Sequence, residues 1–241
     1  MDKATLRDTV WDELESSGEA RFPFPPHGRI PNFADARAAA DALAETSEWA
    51  DADTIKANPD APQLPARRRA LREGKTVYMA VPRLRDERCF YELDPARIDD
   101  DALDSAPTVS HVESHAEQVG PDELPRIDLV ISGSVVVSEQ GARIGKGEGF
   151  SDLEYAVLQG LDAVDDGTTV ATTVHELQVR DDLPEPDSHD VPMDFVVTPE
   201  RTVRTATPYP RPPGLDWSAL SAERIAEMPV LERLRDERDA E

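Results

Sequence analysis

Leu6, Val10 and Leu14 recur at helical spacing within Lys3 to Glu15 and predict a short amphipathic helix with Lys3 and Arg7 four apart on one face. The proline-rich stretch Phe22 to Pro31 ends that helix. The alanine-rich run Phe33 to Trp49 predicts a second helix, entered through Asn32 as its cap. Thr54 to Ala57 predicts a short strand, followed by a loop at Asn58 to Pro65 and a basic helix at Ala66 to Glu73.

Beyond Lys75 the pattern shifts to buried strands. Val77 to Val81 is one, and Asp128 to Val137 is an apolar, β-branched run interrupted by Ser132, Gly133 and Ser134. A glycine turn at Gly141 to Gly149 leads into a helix at Asp152 to Leu161, and Val170 to Val174 and Phe195 to Val197 complete the expected strands. Alternating strands and helices predict an α/β protein with a Rossmann-like layered, largely parallel sheet. We expect one domain over residues 1–205. Residues 206–241 then form a proline-rich strap and a C-terminal helix whose stripe of Ile225, Met228, Leu231 and Leu234 packs on this domain or on a second copy.

Charge narrows the functional classes. The chain carries 26 Lys plus Arg against 50 Asp plus Glu, a net charge of −24, which argues against an electropositive nucleic-acid footprint. The acids spread along the whole chain, the pattern of a solvated surface suited to high salt and a halophilic setting. Self-repulsion is screened over about 3 Å at 1 M salt and over roughly 30 Å at 0.01 M. Cys89 is the single cysteine, which excludes an internal disulfide and a cysteine-based zinc site. No apolar run reaches the length of a membrane span, and Met1 to Leu14 is charged, unlike a signal peptide, so a cytoplasmic protein without membrane partners is expected.

Candidate chemistry concentrates in Gly141-Ala-Arg-Ile-Gly-Lys-Gly-Glu-Gly-Phe-Ser-Asp152, placed after an apolar strand and before a helix. Closely spaced glycines at a helix N-terminus allow backbone N–H groups to approach an anion, and Lys146 adds a point charge. The spacing is neither a Walker loop nor the dinucleotide fingerprint, and by itself it also fits a structural glycine turn. A second cluster, His189-Asp-Val-Pro-Met-Asp194, precedes Phe195-Val-Val-Thr. A carboxylate there and Asp152 suit Mg²⁺, which keeps several waters and needs only one or two protein carboxylates beside phosphates. Ordinary loop acids are the plainer alternative. His111 and His115 lack a third ligand at supportive spacing, and His175 at a strand end suits capping or packing.

Lys3-x-x-Leu6-Arg7, then Asp128-Leu-Val-Ile ahead of Gly141-x-Arg-Ile-Gly-x-Gly-x-Gly-Phe-x-Asp152, then Asp190-x-x-x-Asp194-x-Val-Val-Thr form an ordered set. This set resembles the 5-formyltetrahydrofolate cyclo-ligase, or methenyltetrahydrofolate synthetase, family. Within it the phosphate loop is similar to that of the divergent branch of methenyltetrahydrofolate synthetase domain-containing proteins. The resemblance implies a fold like that of the NagB, ribose-5-phosphate isomerase and CoA-transferase superfamily. It also implies an enzyme that closes 5-formyltetrahydrofolate to 5,10-methenyltetrahydrofolate with ATP and Mg²⁺; a monomer or homodimer is expected.

Carried over by position, Lys3 and Arg7 would reach ATP phosphates, and Arg143, Ile144, Gly145, Lys146, Gly147, Glu148, Gly149, Phe150 and Ser151 would cradle the nucleotide, with Arg143 and Lys146 acting on the reacting phosphate. Asp152 and Asp190 would hold Mg²⁺. Asp60 stands where the family has its substrate-binding glutamate, with Lys56, Asn58 and Phe150 beside the folate. The chain departs from the family at Phe150 and Ser151, which replace tyrosines, at Leu153, which replaces a common arginine, and at Gln63, which replaces a threonine. These departures keep two alternatives open: a noncatalytic nucleotide- or metabolite-binding protein, and an ATP-dependent enzyme acting on another reduced pterin.

Overall fold

A computed structural model describes residues 1–240. Twelve strands are present: β1 (Ala20–Arg21), β2 (Asn32–Phe33), β3 (Thr54–Ala57), β4 (Thr76–Ala80), β5 (Phe90–Leu93), β6 (Glu117–Val119), β7 (Leu129–Ile131), β8 (Val136–Val137), β9 (Arg143–Ile144), β10 (Thr169–Thr173), β11 (Phe195–Val197) and β12 (Thr202–Arg204). Eight of them form the central sheet in the order β12-β11-β10-β7-β3-β4-β5-β6. Its five middle strands, β11 to β4, pair in parallel, and antiparallel strands close both edges. Antiparallel ribbons β1-β2 and β8-β9 lie outside it.

The eight α-helices among the described residues are α1 (Lys3–Ser16), α2 (Ala36–Ala44), α3 (Ser47–Asp51), α4 (Leu64–Arg72), α5 (Val112–His115), α6 (Phe150–Gly160), α7 (Ala222–Ala226) and α8 (Pro229–Ala240). Alternation along the strands sorts the core into two layers. Leu129 and Ile131 face one side with Ile55, Ala57, Leu43 and Trp49, whereas Val130 faces the other with Tyr78, Val170, Leu158 and Leu231. A third cluster seats Leu6, Val10 and Leu14 of α1 on both ribbons through Phe33, Val136 and Ile144. The sheet is therefore covered on both faces, as parallel strands require.

Several local expectations are corrected. Asn32 is not a helix cap: Asn32 and Phe33 pair with Arg21 and Ala20, and helix resumes only at Ala36 after Asp35. That helix breaks again at Thr46, whose hydroxyl donates to the Leu43 carbonyl and accepts from the Trp49 N–H, starting α3. The run Asp128 to Val137 splits between two sheets at Gly133, where a Cβ would sit 3.0 Å from Ile30 and 3.1 Å from the Asp60 carboxylate. The expected C-terminal helix is two, α7 and α8. Ile225, Met228, Leu231 and Leu234 are buried on this domain against Leu158 and Val164. Among the described residues no helix is long and apolar enough to cross a membrane.

Candidate active site

The chain reverses its direction of travel across the sheet between β3 and β7, and the segments leaving their C-terminal ends, Asn58 to Asp60 and Ser132 to Gly133, splay around a crevice. The crevice opens into a cavity of about 690 Å³. One wall is the glycine loop and the start of α6, contributing Arg143, Gly145, Lys146, Glu148, Gly149, Phe150, Ser151, Asp152 and Glu154. Asn58, Asp60 and Arg67 form the floor, and Phe22, Arg29, Arg83 and Val109 stand at other points of the lining.

Buried ion pairs fix the loop wall. The Arg143 guanidinium, almost wholly enclosed, donates to Asp152 Oδ2 at 2.7 Å and to the Gly133 carbonyl at 2.9 Å, tying the loop to the end of β7. Asp152 Oδ1 accepts the Val191 N–H at 3.0 Å, so Asp152 reaches the peptide that joins Asp190 to Val191. Lys146 pairs with Glu148 at 2.8 Å and keeps a third of its side chain exposed. Gly147 holds φ +108° with a vacant Cβ position 3.4 Å from the Arg7 guanidinium, a conformation that other residues rarely adopt.

Beneath the floor, Lys56 is 1% exposed, because the period-two pleat turns it away from its buried neighbours Ile55 and Ala57 toward α6. Its ammonium pairs with Glu154 and donates to Asn58 Oδ1 at 2.9 Å. Arg67, also 1% exposed, donates to the carbonyls of Asn58, Pro59, Asp60 and Pro107 and so holds the floor loop from below. Burial pulls its pKa down to about 9, and it stays cationic at neutral pH. Burial raises the Asp60 pKa, against the opposing pull of Lys146, Arg67 and Lys56.

The structure brings Asn58, Asp60, Arg143, Gly145, Lys146, Glu148, Gly149, Phe150, Ser151 and Asp152 to one cavity. Lys56 acts through its partners from below. Lys3, Arg7, Ile144, Gly147 and Asp190 do not line it. Arg7 Nε donates to the Gly145 carbonyl at 2.7 Å, and Ile144 packs on α1 in the core. Lys3 pairs with Asp190 at 2.6 Å and Asp187 at 2.8 Å; partial burial works against its charge, but those hydrogen bonds outweigh it and raise the Lys3 pKa.

Glu154 and Arg67 were missed by sequence reasoning. Their signal is present in hindsight as charges on otherwise apolar helix faces: Arg67 stands between Ala66 and Ala70, and Glu154 between Leu153 and Val157. Arg224 was missed as well. From α7 it donates to the Glu148 carbonyl at 3.3 Å and lies 5.1 Å from the centroid of the Phe150 ring, bracing the loop from outside.

As chemistry, this arrangement offers a wall of loop N–H groups and Lys146 suited to an anion, and a polar floor at Asn58 and Asp60. Mg²⁺ suits the donor set: Asp152 and Asp190 supply hard oxygen donors, the two Asp152 oxygens each accept one protein donor and retain a lone pair, and at Asp190 the Oδ2 is taken by Lys3 and the Asp187 N–H while Oδ1 accepts no hydrogen bond from a described residue. Asp187, His189 and Asp190 also offer ligand atoms within 4.8 Å of one another.

A family model described as the 5-formyltetrahydrofolate cyclo-ligase family matches residues 2–199. A bovine methenyltetrahydrofolate synthase domain-containing protein is 42% identical over 99% of this chain and 63% of its own length. The human protein of that name is 37% identical over 98% of this chain and 62% of its own. The chain thus spans about three fifths of the curated relatives it matches. The NMR structure of Aquifex aeolicus 5,10-methenyltetrahydrofolate synthetase superposes with a TM-score of 0.53 at 18% identity, over 87% of this chain and 95% of that one, a likeness of fold.

Proposed function

The chain belongs to the 5-formyltetrahydrofolate cyclo-ligase family, and from that premise we propose that it converts 5-formyltetrahydrofolate to 5,10-methenyltetrahydrofolate in an ATP- and Mg²⁺-dependent ligase reaction. The same reading assigns its sheet to the NagB, ribose-5-phosphate isomerase and CoA-transferase type. The observation that carries it is the continuity of the cavity: the glycine-loop wall with Arg143 and Lys146 and the floor with Asn58 and Asp60 line the same space. A nucleotide phosphate and a pterin can therefore be held in one cavity.

In the proposed reaction the formyl oxygen forms a bond to the γ-phosphorus as the bond to ADP breaks. N10 then attacks the formyl carbon, loses its proton, and phosphate departs with the former formyl oxygen. The protein's part is positioning and charge neutralisation. Lys146 and the N–H groups of the loop residues that line the cavity receive the phosphates, and Arg143 and Arg7 hold the loop in shape. Asn58 and Asp60 take polar groups of the pterin. Asp152 and Asp190 would hold Mg²⁺, which when bound offsets charge on the transferring group.

The test is turnover by purified protein in high salt with 5-formyltetrahydrofolate, ATP and Mg²⁺, followed by methenyl absorbance. Product that requires both ATP and Mg²⁺ is expected. No product with ATP binding intact refutes the reading.

A further inference from the structure

Of the 26 basic side chains, two, Arg29 and Arg83, make no hydrogen bond or ion pair with any described residue, in a protein of net charge −24. Both line the same cavity. The Nε of Arg29 is buried and unpartnered, a state that is costly unless a ligand supplies the acceptor.

Neither arginine is loose at its backbone. The Arg29 carbonyl accepts the Trp11 indole N–H at 3.1 Å, and Ile30 beside it is in the core. Arg83 stands at φ +60° and Leu84 at φ +53°, two successive left-handed residues, with Leu84 fully buried and its N–H on the Val81 carbonyl at 2.9 Å. Left-handed backbone at a non-glycine residue is strained and persists where its surroundings impose it. Here it presents an unpaired guanidinium to the cavity.

Apolar groups accompany the two cations. Phe22 and Val109, 77% and 65% exposed, are two of the four large hydrophobic residues left in solvent, and both line this cavity. The cation assigned to the phosphates above, Lys146, belongs to the glycine loop instead, and Arg143 is occupied by Asp152 and the Gly133 carbonyl. A ligand portion that suits exposed Phe22 and Val109 together with two free guanidiniums is an aryl group continuing into carboxylates.

We propose that Phe22, Val109, Arg29 and Arg83 form a subsite for the aryl-glutamyl half of a folate, with the two guanidiniums on its glutamyl carboxylates. The subsite rests on the folate reading above and adds to it residues that select the substrate by its tail. Guanidinium–carboxylate pairs are bidentate and charge-assisted, so each contact is specific as well as favourable.

Equilibrium binding decides this without requiring turnover. Isothermal titration of the full chain would compare 5-formyltetrahydrofolate with 5-formyltetrahydropteroate, which lacks the glutamate, and would include ATP in a separate arm. Wild type should bind the glutamyl ligand at least about tenfold more tightly. Arg29→Gln and Arg83→Gln should each remove much of that preference and the pair nearly all of it, with pteroate and ATP affinity and the thermal midpoint unchanged. Equal wild-type affinity for the two folates, or a preference that survives in the double variant, overturns the subsite while product formation upholds the ligase reading. Glutamyl-dependent binding without product does the reverse. Failure to bind either folate overturns both, and weakened ATP binding with folate binding unchanged assigns the arginines to the nucleotide and overturns the subsite.

Discussion

The Lys56–Glu154 pair allows a quantitative test of how the floor of the cavity is held. Lys56 is 1% and Glu154 7% exposed, so neither charge can recover hydration if its partner is removed. Lys56→Met leaves the Glu154 carboxylate and the Asn58 amide oxygen without their donor, and Glu154→Leu leaves an ammonium with Asn58 alone. Removing one member of a buried pair costs about 3–5 kcal/mol. For a chain of this size each kcal/mol moves the thermal midpoint by roughly 2–4 °C, so each single variant should melt about 6–20 °C lower. The double variant buries no charge and leaves only Asn58 short of a donor, a loss of about 1–3 kcal/mol. It should therefore be more stable than either single variant, a coupling well above the few tenths of a kcal/mol expected between independent sites. Urea unfolding in 0.2 M and 2 M salt measures all four proteins, and the coupling should persist in high salt because a buried pair is poorly screened. A double variant destabilised by the sum of the singles would refute the account.

The remaining predictions concern ligands, pH and salt. Lys146→Ala should weaken ATP binding by about 1.5–3 kcal/mol, the worth of a charge-assisted contact, and Gly147→Val should be more damaging because φ +108° disfavours a side chain there; titration calorimetry checks both. Asp152→Asn and Asp190→Asn should raise the Mg²⁺ concentration needed for turnover. Asp194→Asn should instead lower stability with little change in Mg²⁺ demand, since that carboxylate is bound to Arg211 and the Val170 N–H. Burial raises the Asp60 pKa, so the folded state holds its proton more tightly than the unfolded chain does; the associated stability is complete below the unfolded value of 3.8 and is lost as pH rises through the folded one. Asp60→Asn should accordingly raise the melting midpoint at pH 7 relative to wild type and flatten this dependence, and an unchanged midpoint would show the carboxylate to be solvated. Thermal midpoints should climb between 0.01 M and 1 M salt as repulsion among the acidic groups is screened.

The sequence by itself determined what depends on a few adjacent residues. Leu6, Val10 and Leu14 specify α1 by their spacing, the runs at Thr54, Val77, Val170 and Phe195 specify β3, β4, β10 and β11, and the glycines before Phe150 mark a backbone that needs left-handed torsions. Each is a local requirement, readable from period or from the absence of a Cβ. The antiparallel strands β5, β6 and β12 escaped notice because they take their identity from the neighbours that pair with them. By pattern alone the site was legible in its loop, and the family resemblance added Asn58 and Asp60 of the floor. Lys56 meets a partner 98 residues away, and Arg67 looks like one more base on a basic helix until its carbonyl acceptors are in place. Arg29 and Arg83 are distinguished by what they lack, and a missing partner exists only relative to a folded surface on which every other cation has found one. Tertiary structure decided these because pairing, desolvation and enclosure act between groups that the chain brings together only when the sheet closes over its core.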